Sequence, residues 1–156
     1  IFAAIGSSVG PIASNVAARC APLQPISVVA IQGVADTGIP VNGGETGRVF
    51  RGRKLGDGGR VESAAATRML WASKNECSIG PQTEFPPVLE NDGTHVEKIT
   101  HTTCRNGTEV VYYLVHGMGH GWPPRESEAP AVFGQTSHNI DATEVFWEFF
   151  KAHPKR

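Results

Sequence analysis

No apolar run in this sequence exceeds about six residues, far short of the roughly 20 that a membrane-spanning helix needs. Charge is scarce too: Asp, Glu, Lys and Arg make up 19% of the chain, which argues against a disordered, solvating polymer. Neither sign dominates. Lys and Arg number 14 against 15 Asp and Glu, a formal charge of −1 with no basic block. That removes the electrostatic footprint of a nucleic-acid binder or of a protein held on an anionic membrane. Cysteines number three, so at least one has no partner within the chain, and their spacing matches no paired C-x-x-C zinc pattern. There is no internal repeat, low-complexity tract or linker that would split the chain.

What remains is 156 residues, 40% of them apolar, the makings of one globular domain (1–156) with a sizeable core. The 18 Gly and 11 Pro predict short elements joined by tight loops. Ile1-Phe2-Ala3-Ala4-Ile5 reads as a buried strand, with no positively charged region before it to mark a signal peptide. Natural domains seldom open inside a core strand, so the expectation is a fragment or a processed product.

Ile26 to Gln32 is a near-continuous β-branched run bounded by Pro25 and Gly33, the pattern of a strand buried on both faces of a parallel sheet. Val61 to Lys74 lacks Gly and Pro and predicts a helix. Thr94 to His101 and Glu109 to His116 flank the Asn106-Gly107 turn and predict an antiparallel pair. Asn106-Gly107-Thr108 also fits the glycosylation sequon and is read here as a turn. Asp141 is placed to cap a last helix with Ala142, Val145, Phe146, Phe149 and Phe150 on one face, broadened by Trp147. Two long Gly/Pro-rich loops, Thr37 to Arg60 and Gly121 to Asn139, separate these elements, and loops of that length are usually functional. The order spells an α/β layered fold.

Two loops carry the chemistry. Gly33-Val34-Ala35-Asp36 stands at the carboxyl end of the buried strand, where open α/β sheets place their sites. An Asp there can fix the tautomer of an imidazole; otherwise it starts a turn before Gly38. His116-Gly117-Met118-Gly119-His120-Gly121-Trp122-Pro123 follows the last strand. A zinc site of the H-E-x-x-H kind needs a helix and a Glu, and three glycines and a proline argue against that helix, so no metal is expected. His120 is the candidate general base, set against a buried structural histidine. Asp then His, each after a strand, is the chain order of the α/β-hydrolase triad. Gly6-Ser7-Ser8-Val9-Gly10 matches the G-x-S-x-G nucleophile pattern, but its following segment, Ile12–Ala18, is short for the helix of an elbow. Cys77 and Cys104 either close a loop as a disulfide, implying an oxidising compartment, or are two buried thiols.

Through Phe2-Ala3-Ala4-Ile5, Ile31 to Pro40, Gly117-Met118-Gly119-His120-Gly121-Trp122-Pro123 and Ile140 to Phe150, the chain resembles the carboxyl-terminal part of the polyhydroxybutyrate depolymerase and feruloyl esterase family of secreted α/β-hydrolases. The resemblance spans nearly the whole chain. It implies a partial α/β-hydrolase fold: a mostly parallel sheet with an added antiparallel hairpin and helices packed on it. It also implies Asp36 as triad acid, His120 as general base, a Cys77–Cys104 disulfide, secretion or a periplasmic location, and no cofactor. Trp122 is a candidate for the substrate pocket. Two departures stand out. Gln32 occupies a position where the family usually has His, and the family's elbow serine lies before the segment matching Ile1–Ile5. The expected function is therefore a serine-type carboxylic ester hydrolase in which this chain supplies acid and base. The alternatives are a shortened esterase using Ser8, an inactive binding module and, last, a zinc hydrolase. An ester, small or polymeric, is the expected substrate, and no nucleic-acid or membrane partner is expected. Exposed edges of a half sheet predict either a homo-oligomer or a missing amino-terminal segment.

Overall fold

The computed structural model describes residues 2–50, 53–55, 58–127 and 129–155. The chain runs through β1 (Ala4–Ser8), α1 (Ser14–Ala17) and β2 (Ser27–Gly33). Two small antiparallel ribbons follow: β3 (Gly44–Glu45) pairs with β6 (Arg60–Val61), and β4 (Arg48–Phe50) with β5 (Arg53–Leu55). Next come α2 (Ala64–Lys74), β7 (Gln82–Glu84), β8 (His95–His101), β9 (Val110–His116), α3 (Pro130–Phe133) and α4 (Ala142–Ala152).

Five strands form one mixed sheet in the order β1-β2-β9-β8-β7. β1, β2 and β9 are parallel, while β8 and β7 continue the sheet antiparallel. With its helices this is an α/β arrangement. Every residue of β2 is buried, as its apolar run predicts for a central strand. Because side chains alternate along a strand, β2 feeds two cores. Val29 and Ile31 join Val111, Val115, Met118 and Phe146 under α4. Val28 and Ala30 join Ala64, Ile99, Val110 and Tyr112 under α2. The β8–β9 pairing turns through a 3₁₀ segment, Arg105–Gly107, in which Asn106 adopts φ 57°. Asn tolerates that left-handed conformation, so Asn106-Gly107 is a turn as read.

α4 begins where the capping pattern places it: the Asp141 carboxylate accepts from the Glu144 N–H at 3.0 Å. Ala142 and Phe146 are buried on the sheet, a burial worth roughly 2–3 kcal/mol for the phenyl ring alone.

Four expectations need correction. The first strand is Ala4–Ser8 rather than Ile1–Ile5, because pairing with Ser27–Ile31 carries it across Gly6-Ser7-Ser8; Ile1 lies outside the described residues. The helix expected from Val61 starts at Ala64, since Arg60 and Val61 pair in a ribbon and the Ser63 hydroxyl caps the helix through Ala66 N–H. The Thr37–Arg60 loop is built on ribbons rather than being free of secondary structure. Trp147 does not broaden the buried face of α4: it is 62% exposed, about 100° around the helix from Phe146.

His101 ends β8 in a buried position beside Arg68. Burial pushes its pKa down, and the Arg68 guanidinium pushes it further the same way. A folded-state pKa below the unfolded value means that the unfolded chain binds more protons between the two. Stability from this residue is thus complete above the unfolded value, about 6.5, and lost as pH falls through the folded value. Urea midpoints at pH 7 and pH 5 should differ less in His101→Gln than in the wild type.

Candidate active site

β2 and β9 are parallel neighbours, so Gly33 and His116 end at the same rim of the sheet. The loops that leave them are tied together. Val34 N–H donates to Val115 O and Ala35 N–H to Met118 O, both at 2.9 Å. Gly33 is required here, because a Cβ would stand 2.1 Å from Gly119 O and 2.5 Å from Met118 O.

Asp36 sits at the top of this junction with its carboxylate fully buried. Its Oδ1 accepts from the N–H groups of Gly38 (2.7 Å) and Ile39 (3.0 Å). Its Oδ2 contacts Nδ1 of His120 at 2.8 Å. The turn expected at Asp36 and the contact to an imidazole therefore both occur, one on each carboxylate oxygen. Gln32 Nε2 donates to Ile39 O at 3.3 Å and so braces the Asp36 loop.

His120 is one-third exposed. Its N–H donates to Phe133 O at 2.6 Å, and Gly119 N–H to Gln135 O at 3.0 Å, so the histidine hangs on a short strip of the 133–135 backbone. The two backbones approach so closely that a Cβ on Gly119 would lie 2.1 Å from Phe133 O. Gly119→Ala is expected to part them and to lower the thermal midpoint by several degrees, the usual scale for a backbone clash of a few kcal/mol. Differential scanning calorimetry checks this.

With Nδ1 turned to a buried carboxylate, the neutral tautomer that fits this contact is the one with its proton on Nδ1, which leaves the Nε2 lone pair bare. Among the described residues no group hydrogen-bonds to Nε2. An imidazole so oriented can take a proton from a hydroxyl or a water.

Ser8 lies on the same rim, as the last residue of β1, paired with Ile31. Its hydroxyl is buried and has no hydrogen-bond partner among the described residues. In a nucleophile elbow the serine itself occupies the strained turn into a helix. Here the left-handed residue is Val9, at φ 78°, and the next helix, α1, has four residues. The structure does not bring Ser8 into contact with His120. Nor do the two histidines of the loop converge: His116 Nε2 contacts Glu97 Oε2 at 2.9 Å, and its ring stacks on His95 at 4.5 Å.

Trp122 is held by α4. Its indole N–H donates to Thr143 Oγ1 at 3.0 Å and its ring packs 5.3 Å from Phe146, leaving it 43% exposed. The aromatic ring found beside His120 is Phe133, 5.9 Å away. Only the Ala131-Val132-Phe133 run, apolar inside a proline-rich loop, marked it in the sequence. A groove of about 690 Å³ between α4 and β8, floored by Val96, Val111 and Tyr113, includes neither Asp36 nor His120. The carboxylate–imidazole contact is a better candidate site than the groove, since an open groove specifies no reaction.

Cys77 and Cys104 form a disulfide that joins the end of α2 to the turn before β9, and Cys20 is free. The disulfide is compatible with an extracellular protein. No described helix is long and apolar enough to cross a membrane.

Compared with known proteins, the chain matches no family model and no curated protein.

Proposed function

We propose that this chain carries the acid and base of a serine-type carboxylic ester hydrolase, with His120 as general base and Asp36 as the acid that orients it. One observation carries the proposal: a buried carboxylate, tied down by two backbone N–H groups, contacts Nδ1 of a histidine whose Nε2 meets no hydrogen-bonding group among the described residues. In acyl transfer His120 Nε2 takes the proton of the attacking hydroxyl, and a tetrahedral intermediate forms at the ester carbonyl. The protonated imidazole then gives that proton to the leaving alkoxide, and the acyl-enzyme is hydrolysed by water activated in the same way. The likeness of the Asp36 and His120 loops to polyhydroxybutyrate depolymerases and feruloyl esterases supports this chemistry and a partial α/β-hydrolase fold.

The nucleophile belongs to a serine outside these 156 residues, on a longer precursor or on a second, different chain. β1 favours that assignment, since it pairs only with β2 among the described strands and so offers a free edge at the rim where Asp36 and His120 stand. Trp122 and Phe133 flank the substrate. A second reading makes Ser8 the nucleophile, favoured by its unpartnered hydroxyl on that rim.

p-Nitrophenyl acetate tests both, because an oriented imidazole also activates water against so reactive an ester. Hydrolysis should fall by about 10² or more in His120→Ala, the usual contribution of a general base, and stay unchanged in Ser8→Ala. Equal rates for the wild type and His120→Ala would make the chain a binding module. Loss in Ser8→Ala would move the nucleophile into the chain.

A further inference from the structure

Linked to the 133–135 strip through Gln135 lies a polar cluster that takes no part in the proposed chemistry. Asp92 Oδ1 accepts from Thr94 N–H (2.8 Å), Thr94 Oγ1–H (2.6 Å) and Asn139 Nδ2–H (2.9 Å). Its Oδ2 accepts from His138 N–H at 2.7 Å. Asn139 extends the cluster, accepting from the N–H groups of Leu89 and Glu90 and donating to Glu90 O and Thr94 O. Thr94 Oγ1 also meets Ser137 Oγ at 2.6 Å. Thr94, Ser137 and Asn139 are buried. So many bonds in a buried position lock two loops, 89–94 and 135–139, into one body.

That body reaches the His120 loop through the Gln135 side chain and through backbone. Asp92 O accepts from Gln135 Nε2 at 3.4 Å, and Gln135 O holds Gly119 N–H. Gly117 is pressed so close to Gly93 that a Cβ on it would lie 2.7 Å from Gly93 O. The Gly117–His120 loop thus runs between two segments that Asp92 fixes.

We infer that Asp92 is a positioning residue for His120, setting the imidazole against Asp36 from the opposite side of the His120 loop. Asp92 touches no group proposed to react, and it acts through Thr94, His138 and Asn139 on the 133–135 strip. Burial raises its pKa, but the hydrogen bonds from His138 and Thr94 outweigh this and hold it below the ordinary carboxylate range. The carboxylate therefore stays ionised, and the clamp closed, throughout the neutral range.

The inference rests on His120 being the oriented base, and the test separates the two. Nitrogen-15 NMR of the full chain at neutral pH reports which ring nitrogen of His120 is protonated. In the wild type this should be Nδ1. Asp92→Asn puts an N–H donor against His138 N–H or Thr94 N–H, and His120 should revert to the Nε2–H form that dominates in free histidine while circular dichroism stays native. Thr94→Val, which removes one donor to Asp92 without changing shape, should give a mixture of the two forms and serves if Asp92→Asn does not fold. A native Nδ1–H signal in a folded Asp92→Asn or Thr94→Val protein overturns the positioning role. An Nε2–H wild type overturns instead the assignment of His120 as an oriented base.

Discussion

Asp36→Asn is expected to leave the fold intact and to lower ester hydrolysis by about 10² to 10⁴, the scale set by general-base loss and by a triad aspartate changed to asparagine. The reason is local. The carboxylate divides its work, with Oδ1 receiving Gly38 and Ile39 N–H and Oδ2 receiving His120 Nδ1. An amide of the same shape keeps the first pair by turning its oxygen to the two N–H groups. Its NH₂ then faces Nδ1, which must accept rather than donate. The ring proton moves to Nε2, the nitrogen that has to be bare to take a proton from a hydroxyl. Loop geometry and stability change little, because the turn bonds survive. Rates with p-nitrophenyl acetate, read beside the thermal midpoint, check this. An Asp36→Asn protein as fast as the wild type would mean that the contact is only structural.

Removing the disulfide by Cys77→Ser with Cys104→Ser should cost about 3.5 kcal/mol, the loop-closure entropy of a cross-link spanning 27 positions. For a chain of this size that lowers the melting temperature by about 10 °C. The bridge anchors the end of α2 beside the turn into β9, so the loss falls on the α2 side of the sheet, around Ala64, Ile99 and Tyr112. Hydrogen exchange should accelerate there first. The Asp36–His120 contact lies at the other end of β9 and should persist at temperatures where the double variant is still folded. A double variant with an unchanged midpoint would show that the bridge carries no stability.

Elements whose causes are local were legible in the sequence. β2 follows from an apolar β-branched run, α4 from its cap and apolar stripe, and the β8–β9 pair from Asn106-Gly107 between two strand-like segments. Elements set by a partner were not. β1 extends through Gly6-Ser7-Ser8, poor strand formers, because β2 offers pairing as far as Ile31. The ribbons in Thr37–Arg60 are two or three residues long, too short for any period to appear. The site divides the same way. Asp36 and His120 were visible as polar residues in glycine-rich loops at strand ends, yet the 2.8 Å contact joins residues 84 positions apart and needs β2 and β9 to lie side by side. Phe133 and Asp92 gave almost no signal, because one lies near His120 only in the fold and the other is linked to its loop through contacts between distant segments.

The central claim, that Asp36 holds His120 as a base ready to accept a proton, is tested most directly by locating the proton on His120 in the wild-type chain. Nitrogen-15 NMR across the neutral range should show Nδ1 protonated and Nε2 bare, with the Nδ1 proton slow to exchange against the buried carboxylate and that pattern gone in Asp36→Asn. A His120 protonated on Nε2 at neutral pH, with the same spectrum in both proteins, would contradict the account.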